Sequence, residues 1–121
     1  MKDGGLPKAD RRILYKTTEF SEFYNQMPLS VQLKFEYVFN IVQTVYILPT
    51  KFVKRLVGSR FYELRVSIGT NAYRIILFAI DHENVIEATR IVLLHAFLKK
   101  SEKDYGKQIE KADKILKDFM I

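Results

Sequence analysis

The sequence predicts an α+β fold in the order β-α-α-β-β-β-α, with a small, twisted, mainly antiparallel sheet packed against a helical hairpin and a C-terminal helix. Three observations predict it. Apolar residues recur every three to four positions from Phe20 to Tyr46 and again from Tyr105 to Phe119, the period of a helix with one buried stripe. Between Phe61 and Leu98 the period drops to about two, the period of a strand. The connections within that middle region are short, which joins strands as an antiparallel meander. At 121 residues and 48% hydrophobic content, the chain is sized for one core.

Residues 1–10 hold Gly4, Gly5 and Pro7 among mixed charges and are expected to be a flexible start, with a single domain over 11–121. Arg11 to Lys16, in which Ile13 and Tyr15 alternate with Arg12, Leu14 and Lys16, reads as the first strand. Thr17 or Thr18 can cap a helix with Glu19 and Glu22 in its first turn, where carboxylates suit the helix dipole, and with Phe20, Phe23 and Tyr24 on one side. Pro28 ends it. Ser30 is the expected cap of a second helix whose stripe is Val31, Phe35, Val38, Phe39, Val42, Val45 and Tyr46, stopped by Pro49.

Phe61 to Ile68, Ala72 to Ile80 and Val85 to Leu98 read as three successive strands, separated by turns at Gly69-Thr70-Asn71 and Asp81-His82-Glu83-Asn84. Ser101 is expected to cap the last helix, with Tyr105, Ile109, Ala112, Leu116 and Phe119 on its apolar stripe. Strand parity puts Leu64, Val66, Tyr73, Ile75 and Leu77 on one sheet face, expected under the helices. It puts Glu63, Arg65 and Arg74 together on the other.

The net charge is +6, and it is unevenly spread. Residues 49–74 hold Lys51, Lys54, Arg55, Arg60, Arg65 and Arg74 against Glu63 alone, whereas residues 19–48 are net acidic. Such a cluster favours a polyanionic partner, nucleic acid first. Taken alone, Lys51, Lys54, Arg55 and Arg60 read first as a solvated loop and strand edge, and the strand arginines alter that balance. An arginine inside an apolar strand must reach water, an anion or a carboxylate, because an unpaired buried charge is costly. Pairing of Arg65 or Arg74 with Glu63 is therefore the structural alternative to anion binding. His95, in an apolar strand, is either a satisfied core histidine or a proton-transfer group; Lys99 and Lys100 lead into a helix N-terminus that favours anions. His82 sits in a turn and is given no role.

With no cysteine and two histidines, disulfides and thiolate chemistry are out of reach, and no metal or cofactor is expected. No apolar run approaches the length of a membrane span, so a cytoplasmic protein without membrane contact is expected.

Tyr62-Glu63-Leu64-Arg65, then Tyr73-Arg74-Ile75, then Leu93-Leu94-His95-Ala96-Phe97-Leu98-Lys99-Lys100 ahead of a charged last helix resemble the phage Gp49-like, HigB-type toxins of the RelE/ParE superfamily of type II toxin-antitoxin systems. The resemblance spans roughly residues 10–120. It implies a RelE-like fold and a toxin that cuts messenger RNA in the ribosome, monomeric when alone and neutralised by an antitoxin, often a helix-turn-helix protein. By motif it implies catalytic roles for Arg65, Arg74, His95 and Lys99, and RNA contacts for Lys51, Lys54, Arg55, Lys100 and Tyr105, the last a looser match. The strand bearing Arg65 departs from better characterised RelE-like toxins in having Glu63 where a lysine pair is usual.

The implied reaction is attack of a ribose 2′-OH on the adjacent phosphorus, which requires a base, cations for the phosphorane and an acid for the leaving oxygen, but no metal. Arg65 and Arg74 would clamp the phosphate, His95 would move protons, and Glu63 or a lysine could replace it. Two rival readings share the same features: a ParE-like toxin that inhibits DNA gyrase by protein binding, and a nucleic-acid-binding module without chemistry.

Overall fold

The alternation between Phe61 and Leu98 becomes the centre of a five-stranded sheet with helices on both faces. The computed structural model describes residues 10–120, in the order β1 (Ile13–Lys16), α1 (Thr18–Asn25), α2 (Leu29–Thr44), β2 (Val53–Arg55), β3 (Tyr62–Ile68), β4 (Asn71–Ala79), β5 (Arg90–Leu98), a single 3-10 turn (Glu102–Asp104) and α3 (Tyr105–Phe119). The sheet order is β1-β5-β4-β3-β2; β1 runs parallel to β5 and every other pair is antiparallel. This is the predicted α+β architecture with one strand more. Apart from Asp10, the expected flexible start lies outside the described residues.

One sheet face is the apolar one that strand parity identifies. Leu64, Val66, Tyr73, Ile75 and Leu77 pack there against Phe20, Val31, Phe35, Val38, Phe39 and Val42 of the α1-α2 hairpin. Phe35 lies 5.6 Å from the Tyr73 ring in an edge contact, so the helical stripe and the strand alternation meet in a single layer. Gly69, at φ +58°, takes the first loop position of the tight β3-β4 hairpin, a conformation in which a Cβ is strained.

Thr17 fixes where sheet becomes helix. Its buried hydroxyl accepts from the N–H of Phe20 at 3.1 Å and donates to the carbonyl of Leu94 in β5 at 2.6 Å. Thr17→Ala is expected to lower the unfolding free energy by about 1–2 kcal/mol in urea titration, the loss typical of a removed cap. An unchanged midpoint would show the cap to be dispensable.

Five elements differ from the sequence reading by more than one residue, and the second helix also ends at Thr44, short of Val45 and Tyr46. The first strand begins at Ile13, because the N–H groups of Arg11 and Arg12 donate to the Gln43 carbonyl of α2 and not to β5; the Arg12 side chain is buried, with 1% exposure. The second helix starts after Pro28, without a side-chain cap from Ser30; Pro28 supplies its carbonyl to Val31 and Gln32. Val53–Arg55, read as loop, adds an edge strand antiparallel to β3. The last strand begins at Arg90 rather than Val85: residues 85–89 fold over the sheet end, where Asp81 accepts from the N–H groups of Thr89 and Arg90 and from the Thr89 hydroxyl. These contacts hold the Asp81 carboxyl down to about 2, the Thr89 hydroxyl chiefly. Finally, Ser101 caps the 3-10 turn rather than α3 itself, accepting from Lys103 N–H at 3.2 Å.

The helix α3 covers the second face, where Ala112, Ile115 and Leu116 pack on Phe61, Ile76, Val92 and Leu94. A register shift opposite Ile76/Leu77 pairs Ile76 with His95 and Leu77 with Leu93, leaving Leu94 as an extra residue in β5. Leu93 accordingly belongs to the α1-α2 core, while His95 meets α3. Strict alternation along β5 would keep Leu93, His95 and Phe97 on one face, and the bulge breaks it.

Candidate functional site

On the α3 face, two rows of side chains cross the sheet. Lys54, Glu63, Ile76 and His95 stand in register along one, and Arg65, Arg74 and Phe97 along the next. The α3 helix covers the Ile76 and His95 end, and its first residue, Tyr105, reaches back over the rows. What stays open is a groove of about 280 Å³ bounded by Lys54 and Arg55 of β2, Glu63 and Arg65 of β3, Lys99 after β5, and Glu102 and Tyr105.

Glu63 organises the groove floor. It is 4% exposed, yet it accepts a 2.5 Å hydrogen bond from the Tyr105 hydroxyl and faces Arg65 Nε at 3.6 Å and Arg74 Nε at 3.5 Å. A carboxylate that far from water is tolerable only with such partners. Burial, and then the bond to the Glu63 carboxylate, push the Tyr105 phenol up to about 12, so near neutrality it is held as a donor. Its ring rests edge-on against Phe97 at 5.8 Å. Lys99 Nζ lies 5.8 Å from the Tyr105 ring centroid and 2.6 Å from Glu102.

Of the residues singled out by sequence, the structure brings Lys54, Arg55, Arg65, Lys99 and Tyr105 together around Glu63. Arg74 stands in the expected register beside Arg65 but is 5% exposed and does not border the groove; it donates to the carbonyl of Tyr73 and backs Glu63 from behind. A two-arginine clamp open to substrate is therefore not the arrangement found: one arginine faces the groove and the other supports its carboxylate. Among the described residues, Arg74 Nε is buried without a hydrogen-bond partner. Lys51 and Lys100 are exposed outside the groove wall, Lys51 resting on Phe52.

His95 is 2% exposed under α3 and does not border the groove; its Nε2–H donates to the Gln108 carbonyl at 3.0 Å. Burial chiefly lowers its pKa. Because the folded ring binds a proton less readily than the unfolded one, its stability contribution is whole above about pH 6.5 and drains away as pH falls below that value. Wild-type stability should thus drop relative to His95→Gln as the pH falls toward 5, by at most about 1.4 kcal/mol per unit in denaturant titrations. Parallel pH profiles for the two proteins would contradict this.

Sequence reasoning missed Glu102 and the apolar lip formed by Leu56 and Val57, the latter 91% exposed. The three-residue spacing of Lys99 and Glu102 was the one available signal for the first. No three His, Cys, Asp or Glu side chains among the described residues cluster as metal ligands, and no helix among them is long and apolar enough to cross a membrane.

The family model for phage derived protein Gp49-like (DUF891) matches residues 22–117, a span that includes every groove residue. Comparisons with curated proteins and with solved structures find no match. The Gp49-like family is associated with the toxins of toxin-antitoxin systems, and a cognate antitoxin partner follows from that association. With the model covering most of the chain and the fold agreeing, this protein belongs to the Gp49-like family, within the RelE/ParE-like toxin superfamily.

Proposed function

We propose that this toxin is a HigB-type messenger RNA endonuclease acting on the ribosome in the cytoplasm, and that the groove around Glu63 is its active site. The observation that carries this reading is the meeting of three kinds of group in one open groove: a buried carboxylate bonded to a phenol, an arginine fork, and the ammonium groups of Lys54 and Lys99 at the rim. Cleavage by a 2′-OH needs those three kinds of group.

In this mechanism Arg65 and Lys54 hold the non-bridging oxygens of the scissile phosphate, where negative charge grows as the phosphorane forms. The 2′-OH gives its proton to the Tyr105 oxygen while the Tyr105 proton passes to Glu63. The 2′-oxygen then bonds to phosphorus, the bond from phosphorus to the 5′-oxygen breaks, and Lys99 supplies the proton that the leaving oxygen needs. The products are a 2′,3′-cyclic phosphate and a 5′-OH end. Arg74 acts as a positioning residue for Glu63, and His95 serves the core beneath α3. Lys51, Arg55 and Lys100 contact the flanking RNA, so affinity falls steeply with salt. The antitoxin of this reading is a helix-turn-helix protein that binds a monomeric toxin.

Inducible expression followed by mapping of messenger RNA 5′ ends in translating cells tests the assignment. New 5′-OH ends, absent with Tyr105→Phe, are the expected result. Growth arrest with intact messenger RNA and lost supercoiling would instead mark a gyrase inhibitor, and RNA binding without product a non-catalytic module.

A further inference from the structure

Arg55 borders a second cavity as well as the groove. This cavity, about 490 Å³, lies at the sheet end among Arg55, Arg60, Phe78, Ile80, His82 and Glu83, and its volume falls in the range of small-molecule sites, about 300–1,000 Å³. Neither the sequence motifs nor the mechanism above gives Arg60, Phe78 or His82 a part.

The side chains there have the chemistry of a nucleotide site. The Arg60 guanidinium sits 5.5 Å from the Phe61 ring centroid and 5.7 Å from that of Phe78, and its Nη2 is fixed at 2.8 Å from Asp113 of α3. About half of the side chain remains exposed, so the guanidinium forms a fixed cationic shelf of the kind on which bases stack. Opposite it, His82 Nδ1 accepts from the N–H of Asn84 at 2.9 Å, which leaves Nε2–H of the neutral ring as a donor. The loop bearing His82 is held by the Asp81 contacts to Thr89 and Arg90, so the donor is placed before any ligand arrives. An anion alone would use the arginines and leave the aromatic and donor groups idle.

We propose that this cavity binds the nucleotide adjoining the one cleaved, its base stacked on Arg60 beside Phe78 and its phosphate gripped by Arg55 at the border of the two cavities. The assignment of that nucleotide to an RNA substrate rests on the nuclease reading above.

Titration of isotope-labelled protein with each of the four ribonucleoside 5′-monophosphates, and with inorganic phosphate as the control, tests it by amide NMR. The nucleotides are expected to shift the signals of Arg60, Ile80 and His82, whereas inorganic phosphate shifts Arg55 and the Lys54 groove alone. Arg60→Ala, at an exposed position, should weaken nucleotide binding about tenfold, the scale of a lost cation-π contact. Identical shifts from phosphate and nucleotides, or nucleotide shifts confined to Lys54, Arg65 and Lys99, would overturn the proposal. Nucleotide shifts at Ile80 and His82 in a protein that cuts no RNA would uphold the subsite and reject the nuclease; RNA cleavage with those signals unmoved would do the reverse.

Discussion

Arg65→Ala is expected to slow RNA cleavage by a factor on the order of 10²–10³ in a reconstituted translation reaction, while the melting temperature barely moves. The size follows from what the side chain does. It borders the groove beside the Glu63 carboxylate, and a preorganised cation facing developing charge is worth several kcal/mol in a transition state. The small stability effect follows from geometry: its side chain is about a third exposed, its Nε is 3.6 Å from Glu63, and the buried carboxylate keeps Tyr105 and Arg74 as partners when Arg65 is removed. Arg65→Lys should recover part of the rate, since charge survives but the fork that matches two phosphate oxygens does not. A variant that cuts at the wild-type rate would take Arg65 out of the chemistry.

Arg12→Ala is expected to have the largest effect on stability, a loss of about 3–5 kcal/mol in denaturant titration, set against the about 5–15 kcal/mol that holds a typical domain together. Arg12 is buried and donates five hydrogen bonds to main-chain carbonyls: Nε to Val85, Nη1 to Val42 and Val45, and Nη2 to Tyr46 and Ile86. Three of those carbonyls, of Val42, Val45 and Tyr46, lie in the last turn of α2 and just past its end, where the helix dipole favours a cation, and two belong to the loop over the sheet end. Burial lowers the pKa of this guanidinium, with Arg11 adding to the effect, and the carbonyl cage compensates the charge. Removing it strands the carbonyls of two separate segments at once. Arg12→Lys should fail nearly as badly, because three ammonium donors cannot replace five fixed ones. Retention of wild-type stability by the lysine variant would show that charge alone suffices.

Arg12 also marks where the sequence stopped being legible. Alternation in Arg11 to Lys16 gave a strand, and the strand exists, but nothing local reveals that one of its arginines docks into carbonyls contributed from 30 to 74 residues away. Periodicity did place Glu63, Arg65 and Arg74 on one face, because β3 and β4 pair without interruption. It could not assign a face to His95, because a single extra residue in β5 inverts the parity that follows it, and a bulge is set by pairing rather than by composition. Val53–Arg55 went unread as a strand because three residues are too few to show a period, yet that edge brings Lys54 opposite Glu63. Tyr105 lay on the apolar stripe of α3, where packing alone would explain it; its hydroxyl bond to Glu63 depends on α3 crossing the far sheet face, which a stripe cannot announce.

The most direct test of the account places a single 2′-deoxynucleotide at the mapped cleavage position of a messenger RNA bound to translating ribosomes. Loss of cleavage at that position, with toxin binding unchanged and 5′-OH ends retained at neighbouring unmodified sites, is the result predicted for attack by the 2′-OH within the Glu63 groove. Undiminished cutting at the deoxy position, or a toxin that arrests growth while cutting no RNA at all, would contradict it.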